Sequence, residues 1–194
     1  GKKGASYADL PSSNSGSSWV RLDKSVKAGE NIVVVDRPVD WAIGDEIVVT
    51  TTDYLPAHSE QLTIVGIAPD FKTITVKEKF AHDHRGTKYD LSGVGISLSF
   101  KDAETRAAVA LLTRSIRIVS EGDAAQTPLQ ATSYFGGHTL VRQGVAKLQM
   151  QGVEFKQLGQ GGRLGHYPVH FHMVRAAPPD TYVKDSSVNE SMTR

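Results

Sequence analysis

Gly136-Gly-His-Thr-Leu-Val-Arg-Gln-Gly-Val-Ala-Lys-Leu-Gln-Met-Gln-Gly-Val-Glu-Phe-Lys-Gln-Leu-Gly-Gln-Gly-Gly-Arg-Leu-Gly-His-Tyr-Pro-Val-His-Phe-His-Met173 carries two patterns. One is a short strand signal closed by glycine: Leu148-x-Met150, then Gly152, then Val153-x-Phe155. The other is His166-Tyr-Pro-Val-His-Phe-His172, the densest group of chemically active side chains in the chain. Short strands follow one another here with glycine or polar residues between them, and no helix fits in the gaps. Parallel strands joined without helices require a coil that returns to the same register on each turn, a β-solenoid. An antiparallel sandwich is the alternative that spacing alone leaves open. Irregular loop lengths and the absence of hairpin dipeptides after Gly136 favour the solenoid.

Upstream of this stretch the chain also reads as β. Val20-x-Leu22, Ile32–Val35, the apolar strand fed by the Gly44-Asp45 turn within Trp41–Val49, Gln61–Ile67, Thr73–Lys77 and Ile96-x-Leu98-x-Phe100 have alternating or β-branched character. Ala68–Lys72 is a hairpin signal, and Gly44-Asp45 a tight turn. Thr105–Leu112 has helical propensity but is too short to be a helix on propensity alone, so its type stays ambiguous. The polar stretches Thr50–Ser59, Ala81–Leu91 and Glu121–Ser133 read as loops. Downstream strands are expected at Thr139–Val141, Ala146–Met150, Val169–Met173 and Val183–Val188. The organisation that follows is a flexible lead-in at 1–18, a β-rich segment at 19–100 and solenoid rungs at 101–194. Val183–Arg194 resembles a rung without a cap, so the expectation is a fragment of a longer protein or an end capped by another subunit.

Composition narrows the function classes. The 194 residues are 39% hydrophobic and 22% charged, ordinary for a globular protein with a core. A net charge of +1 gives no broad attraction to nucleic acid or anionic membrane. No segment approaches the ~20 apolar residues of a membrane span. The absence of cysteine excludes disulfides, thiolate metal sites and cysteine nucleophiles.

Strand alternation predicts that Val169, Phe171 and Met173 point inward and that His166, His170 and His172 point outward. Same-face residues two apart lie roughly 6.5–7 Å apart, within reach of one shared ion. His166, His170 and His172 are therefore candidate metal ligands for a divalent cation, calcium or zinc, with Glu154 or Asp185 adding oxygen. The alternatives are sugar contact or catalysis, and hydrogen bonding within polar stacks. Glycoside cleavage needs two carboxyl groups, about 5–5.5 Å apart for retention and about 6.5–9.5 Å for inversion. Asp53 and Glu154 are the carboxylate candidates, while Asp45 serves its turn. A lyase would use a base, with Arg163 or Arg142 binding the uronate carboxylate. The catalytic candidates are thus His170, His172, Asp53, Glu154 and Arg163. Trp19 and Tyr167 could stack on sugar rings, whereas Trp41 reads as core. His82-Asp-His84 has ligand spacing but sits in a loop, a weak signal. Gly159–Gly165 lacks the lysine-serine/threonine ending and the helix of a phosphate loop.

Trp41–Val49, Thr52-Asp-Tyr54, Ser59-Glu60, Arg106–Ile116, Gly136-Gly-His-Thr139, Gly152-Val-Glu-Phe155, Leu158-Gly-Gln160 and Tyr167-Pro-Val-His-Phe-His172 resemble the G8-domain and right-handed parallel β-helix proteins. The likeness runs from about Val33 to the C-terminus. It implies an all-β protein in which an irregular G8-like segment precedes a right-handed parallel β-helix. It also implies an extracellular or cell-surface location and recognition of an acidic polysaccharide such as hyaluronan. Depolymerisation by a glycosidase or lyase route is the enzymatic form of that expectation. A non-catalytic structural or adhesive solenoid, metal-stabilised or not, is the alternative. Ala108 and Ala110 stand where the family pattern has an acidic residue and a glycine.

Overall fold

The computed structural model describes residues 18–93, 101–120 and 135–191. The expected lead-in before Ser18, the strand at Ile96–Phe100 and the loop at Glu121–Ser133 lie outside the described residues. Among the described residues the named elements are all strands apart from one 3-10 turn, Pro56–His58. The chain divides into two compact units, Gly1–Leu111 and Leu112–Arg194.

The first unit is built on β1 (Trp19–Arg21), β2 (Ile32–Val34), β3 (Glu46–Val49), β4 (Glu60–Ile67) and β5 (Thr73–Val76). β6 (Tyr89–Asp90) and β7 (Asp102–Ala103) form a separate antiparallel ladder, and β8 (Ala108–Leu111) returns to the main sheet. The main sheet is antiparallel throughout, in the order β1-β8-β3-β4-β5-β2. Its two outer strands meet through the Leu22–Val35 bridge and the Asp36 N–H donating to Arg21 O at 2.9 Å. The sheet therefore curls on itself, which leaves little free edge. Alternation sends Val33, Ile47, Val49, Leu62, Ile64, Ile74, Val76, Val109 and Leu111 to one buried face, where Trp41 and Phe80 join them. β8 resolves the ambiguity at Thr105–Leu112 in favour of strand. Val109 and Leu111 alternate into the core, and the ladders to β1 and β3 take up the backbone groups. β8 thus belongs to the first unit, beyond the 100/101 step drawn from sequence.

The second unit pairs its strands in parallel. β9 (Ile116–Val119), β12 (Val153–Lys156) and β15 (Ser187–Asn189) form one ladder, with β12 in the centre. β11 (Gln149–Gln151) pairs with β14 (Tyr182–Lys184), and β10 (Val141–Arg142) with β13 (Phe171–His172). Val183–Val188, expected as one strand, splits into β14 and β15 at Asp185, whose φ is 50°. Val153, Phe155 and Leu158 form the core, with Met150 and Val169 packed against it. Gly136 lies where a Cβ would come within 2.6 Å of the Gln157 and Gly159 carbonyls, so only glycine fits that approach.

The inward set predicted for Val169, Phe171 and Met173 needs correction. Val169 packs on the core, but Phe171 and Met173 are 37% and 75% exposed. The regular strand lasts only two residues, and Met173 leaves it in a left-handed conformation with φ 49°. Alternation cannot be extrapolated across so short an element.

Candidate functional site

Two regions gather chemically active side chains, one in each unit. In the second unit, β10 and β13 place Arg142 opposite His172 in the parallel register. A cavity of about 340 Å³ beside them is lined by Arg142, Gln143, His172, Met173 and Arg175. No carboxylate lines it, so its charge is positive. Met173 and Arg175 both have left-handed backbones, with φ values of 49° and 64°. Such conformations are uncommon for residues other than glycine.

The other histidines of this unit are tied into loops. His166 Nδ1 donates to Gln160 Oε1 at 2.7 Å, and Gln160 Nε2 donates onward to Gly136 O. Desolvation, then the positive charge of His138 and Arg163, pushes the His166 pKa down. Its ring lies 4.3 Å from that of His138, a neighbour not singled out from sequence. His170 Nδ1 donates to Gly165 O at 2.5 Å, and its ring meets His172 edge-on at 5.2 Å. Arg163 extends over the Phe135 ring. Glu154 is fully buried: Arg117 Nε donates to it at 2.7 Å and Asn189 Nδ2 at 3.3 Å. Among the described residues no three His, Cys, Asp or Glu side chains form a group able to hold a metal ion.

In the first unit, the Thr50–Ser59 loop and the residues after β5 form a cleft of about 440 Å³. Asp53 Oδ1 accepts from Thr51 Oγ1 at 2.6 Å and from the Leu55 N–H at 2.8 Å, while Oδ2 faces His58 Nδ1 at 2.7 Å. These donors, Thr51 foremost, hold the Asp53 carboxyl well below the usual carboxylate range. The His58 ring stacks on His82 with centroids 3.7 Å apart and planes 12° from parallel. Glu60 pins the other wall: it accepts from the Ala81 and His82 N–H groups and from His84 Nε2. Burial raises the Glu60 pKa, but those donors outweigh it and leave the carboxyl below its ordinary value.

His84 departs from the surface-loop reading. It is buried, bridges Val26, and directs Nδ1 to Thr50 O at 3.0 Å. Its spacing partner His82 also lines the cleft but stacks on His58, while His84 is committed to Thr50 O and Glu60, so the two do not converge. Asp53 was legible in the sequence. His58 was not, and His82 was noted only for its spacing to His84; the pairing of His58 with His82 was missed because they arrive from separate loops and carry no joint spacing. The Ala108 backbone N–H donates to Thr50 Oγ1 at 2.9 Å.

A family profile described as the CEMIP beta-helix matches residues 134–194. A G8 domain-containing protein of Dictyostelium discoideum is 31% identical over 91% of this chain and 14% of its own length. Human Fibrocystin-L is 27% identical over 91% of this chain and 5% of its own length. The mouse cell migration-inducing and hyaluronan-binding protein is 29% identical over 90% of this chain and 13% of its own length. The chain thus spans only a small part of the relatives it matches. Among solved structures, the tailspike protein gp49 of Pseudomonas phage LKA1 is 15% identical with a TM-score of 0.34, covering 79% of this chain and 22% of its own.

Proposed function

The chain belongs with the G8/CEMIP-like proteins, and from that premise we propose that it is an extracellular or cell-surface module that binds an acidic polysaccharide such as hyaluronan. Its second unit is read as the rungs of a right-handed parallel β-helix, supported by the three parallel ladders β9-β12-β15, β11-β14 and β10-β13. The single observation that carries the binding reading is the cavity of Arg142, Gln143, His172, Met173 and Arg175. Two guanidinium groups there face no lining acid. Each matches a uronate carboxylate with a two-pronged hydrogen bond. Met173 supplies an exposed apolar surface for a sugar face. The relative named as hyaluronan-binding supports the choice of polymer.

Cleavage is the finer part of this reading. Asp53 is committed to Thr51, Leu55 and His58, and Glu154 to Arg117 and Asn189, so both proposed carboxylates serve structural contacts in this state. A solenoid without catalysis is favoured by the same contacts and by the tethering of His166 and His170. The test is size analysis of hyaluronan and a neutral polysaccharide after incubation, with calcium, with zinc and with a chelator. Retention of hyaluronan by the protein without shortening supports a binding module. Cation-dependent shortening makes it an enzyme, and failure to retain any acidic polymer overturns the reading.

A further inference from the structure

The cleft of the first unit plays no part in the binding reading, yet it presents an oriented, accessible histidine. The Asp53 carboxylate accepts a hydrogen bond from His58 Nδ1–H at 2.7 Å. That leaves Nε2 as the ring's acceptor in the neutral tautomer. Both Asp53 oxygens are held, Pro56 begins the turn that presents His58, and the flat stack on His82 fixes the ring's rotation. The His58 side chain is 27% exposed and lines the cleft, where a ligand can meet it.

The surroundings define the ligand. Near-parallel imidazole planes cannot aim both lone pairs at one ion, which argues against a metal shared by His58 and His82. Asp83 on the cleft wall is neutralised by Lys27 at 2.6 Å and by the Ala28 N–H. Arg85 lines the cleft with its backbone fixed: its N–H donates to Thr52 Oγ1 and its carbonyl accepts from Ala107. Its guanidinium has no partner among the described residues. Thr52 and Thr87 add hydroxyl groups. An acceptor nitrogen, hydroxyls and an uncommitted guanidinium match a polyhydroxylated ring with one anionic substituent.

We propose that this cleft is a second acidic-sugar site, in which His58 Nε2 accepts a hydrogen bond from a sugar hydroxyl and Arg85 pairs with the sugar's carboxylate. Asp53 is its positioning residue. The inference rests on the acidic-polysaccharide reading for the class of ligand, but it uses none of the residues of the second unit's cavity.

The test is a titration of the whole chain with a hyaluronan tetrasaccharide, with neutral cellotetraose and with acetate, followed by histidine side-chain nitrogen NMR and by calorimetry. The tetrasaccharide is expected to shift the His58 nitrogens, and cellotetraose and acetate to leave them in place. Arg85→Gln and His58→Gln should each weaken binding at this site about tenfold. Asp53→Asn should change the His58 tautomer signature, an effect that a purely structural loop contact with no ligand role would not couple to affinity. Unchanged melting of Arg85→Gln, an exposed position, separates loss of binding from loss of folding. If the tetrasaccharide binds but responds only to Arg142→Gln/Arg175→Gln, this inference fails and the reading of the second unit stands. If it shifts His58 and ignores those two changes, the second-unit reading fails and this one stands. If acetate shifts His58 as strongly as the tetrasaccharide, or nothing shifts it, the inference is overturned.

Discussion

Arg117 and Glu154 sit opposite one another on β9 and β12, yet their surroundings differ sharply. Glu154 is wholly buried, whereas the Arg117 side chain is 48% exposed. Removing the two partners should therefore have unequal effects. Arg117→Ala strands a carboxylate in the interior, which costs about 3–5 kcal/mol. Glu154→Gln keeps the shape and the contact with Asn189, and Arg117 can turn to water, so its cost should be clearly smaller. Denaturant unfolding of the two variants and of the double variant checks this. Part of the Arg117→Ala loss should return when Glu154→Gln is added. Equal losses would mean that the pair acts through packing alone. At this scale the sequence was partly legible. Glu154 stood out as an acid in an apolar strand, but its commitment to Arg117 depends on a parallel register that no local pattern contains.

Carboxylates also fix individual elements. Asp70 accepts from the Lys72 and Thr73 N–H groups and from Thr73 Oγ1, which closes the β4–β5 hairpin. Glu60 pins the segment after β5, and Glu104 is held by Arg106 down to about 2. Asp70, Glu60 and Glu104 all have folded pKa values below their ordinary ones. The unfolded chain then takes up protons first as the solution is acidified. Their stabilisation is complete above the unfolded values of 3.8 and 4.5, and it is lost as pH falls through the folded values. The depressed His166 adds a loss of the same sign, starting below its ordinary 6.5. The melting temperature should decline from about pH 6 downward and most steeply below about pH 4. Glu60→Gln should flatten the acid limb, and a melting temperature that rises on acidification would contradict the account. The hairpin was readable in advance because Pro69-Asp70 sits between two alternating strands. β13 was not, since alternation over Val169–Met173 suggested a longer strand than its two residues.

Across the whole chain, each unit could be typed as β from its strands, but the direction of pairing had to come from elsewhere. Antiparallel neighbours in the first unit are adjacent or nearly so in sequence, which is why the β4–β5 hairpin was legible. Partners in the second unit return after long loops, as Val153 does to Ile116, so only indirect signs, the irregular loop lengths and the lack of hairpin dipeptides after Gly136, together with the resemblance, favoured the parallel form over a sandwich. The cationic cavity was legible only in pieces. Arg142 and His172 were both candidates in the sequence, and their pairing on β10 and β13 joins them, while Arg175 was missed as an ordinary loop arginine. The most direct test is the affinity of the protein for hyaluronan oligosaccharides, compared with the Arg142→Gln/Arg175→Gln variant at low and at high salt. The account predicts measurable binding that weakens with salt and falls at least about tenfold in the variant, whose melting is unchanged. Binding of equal strength in both proteins, or none in either, would contradict it.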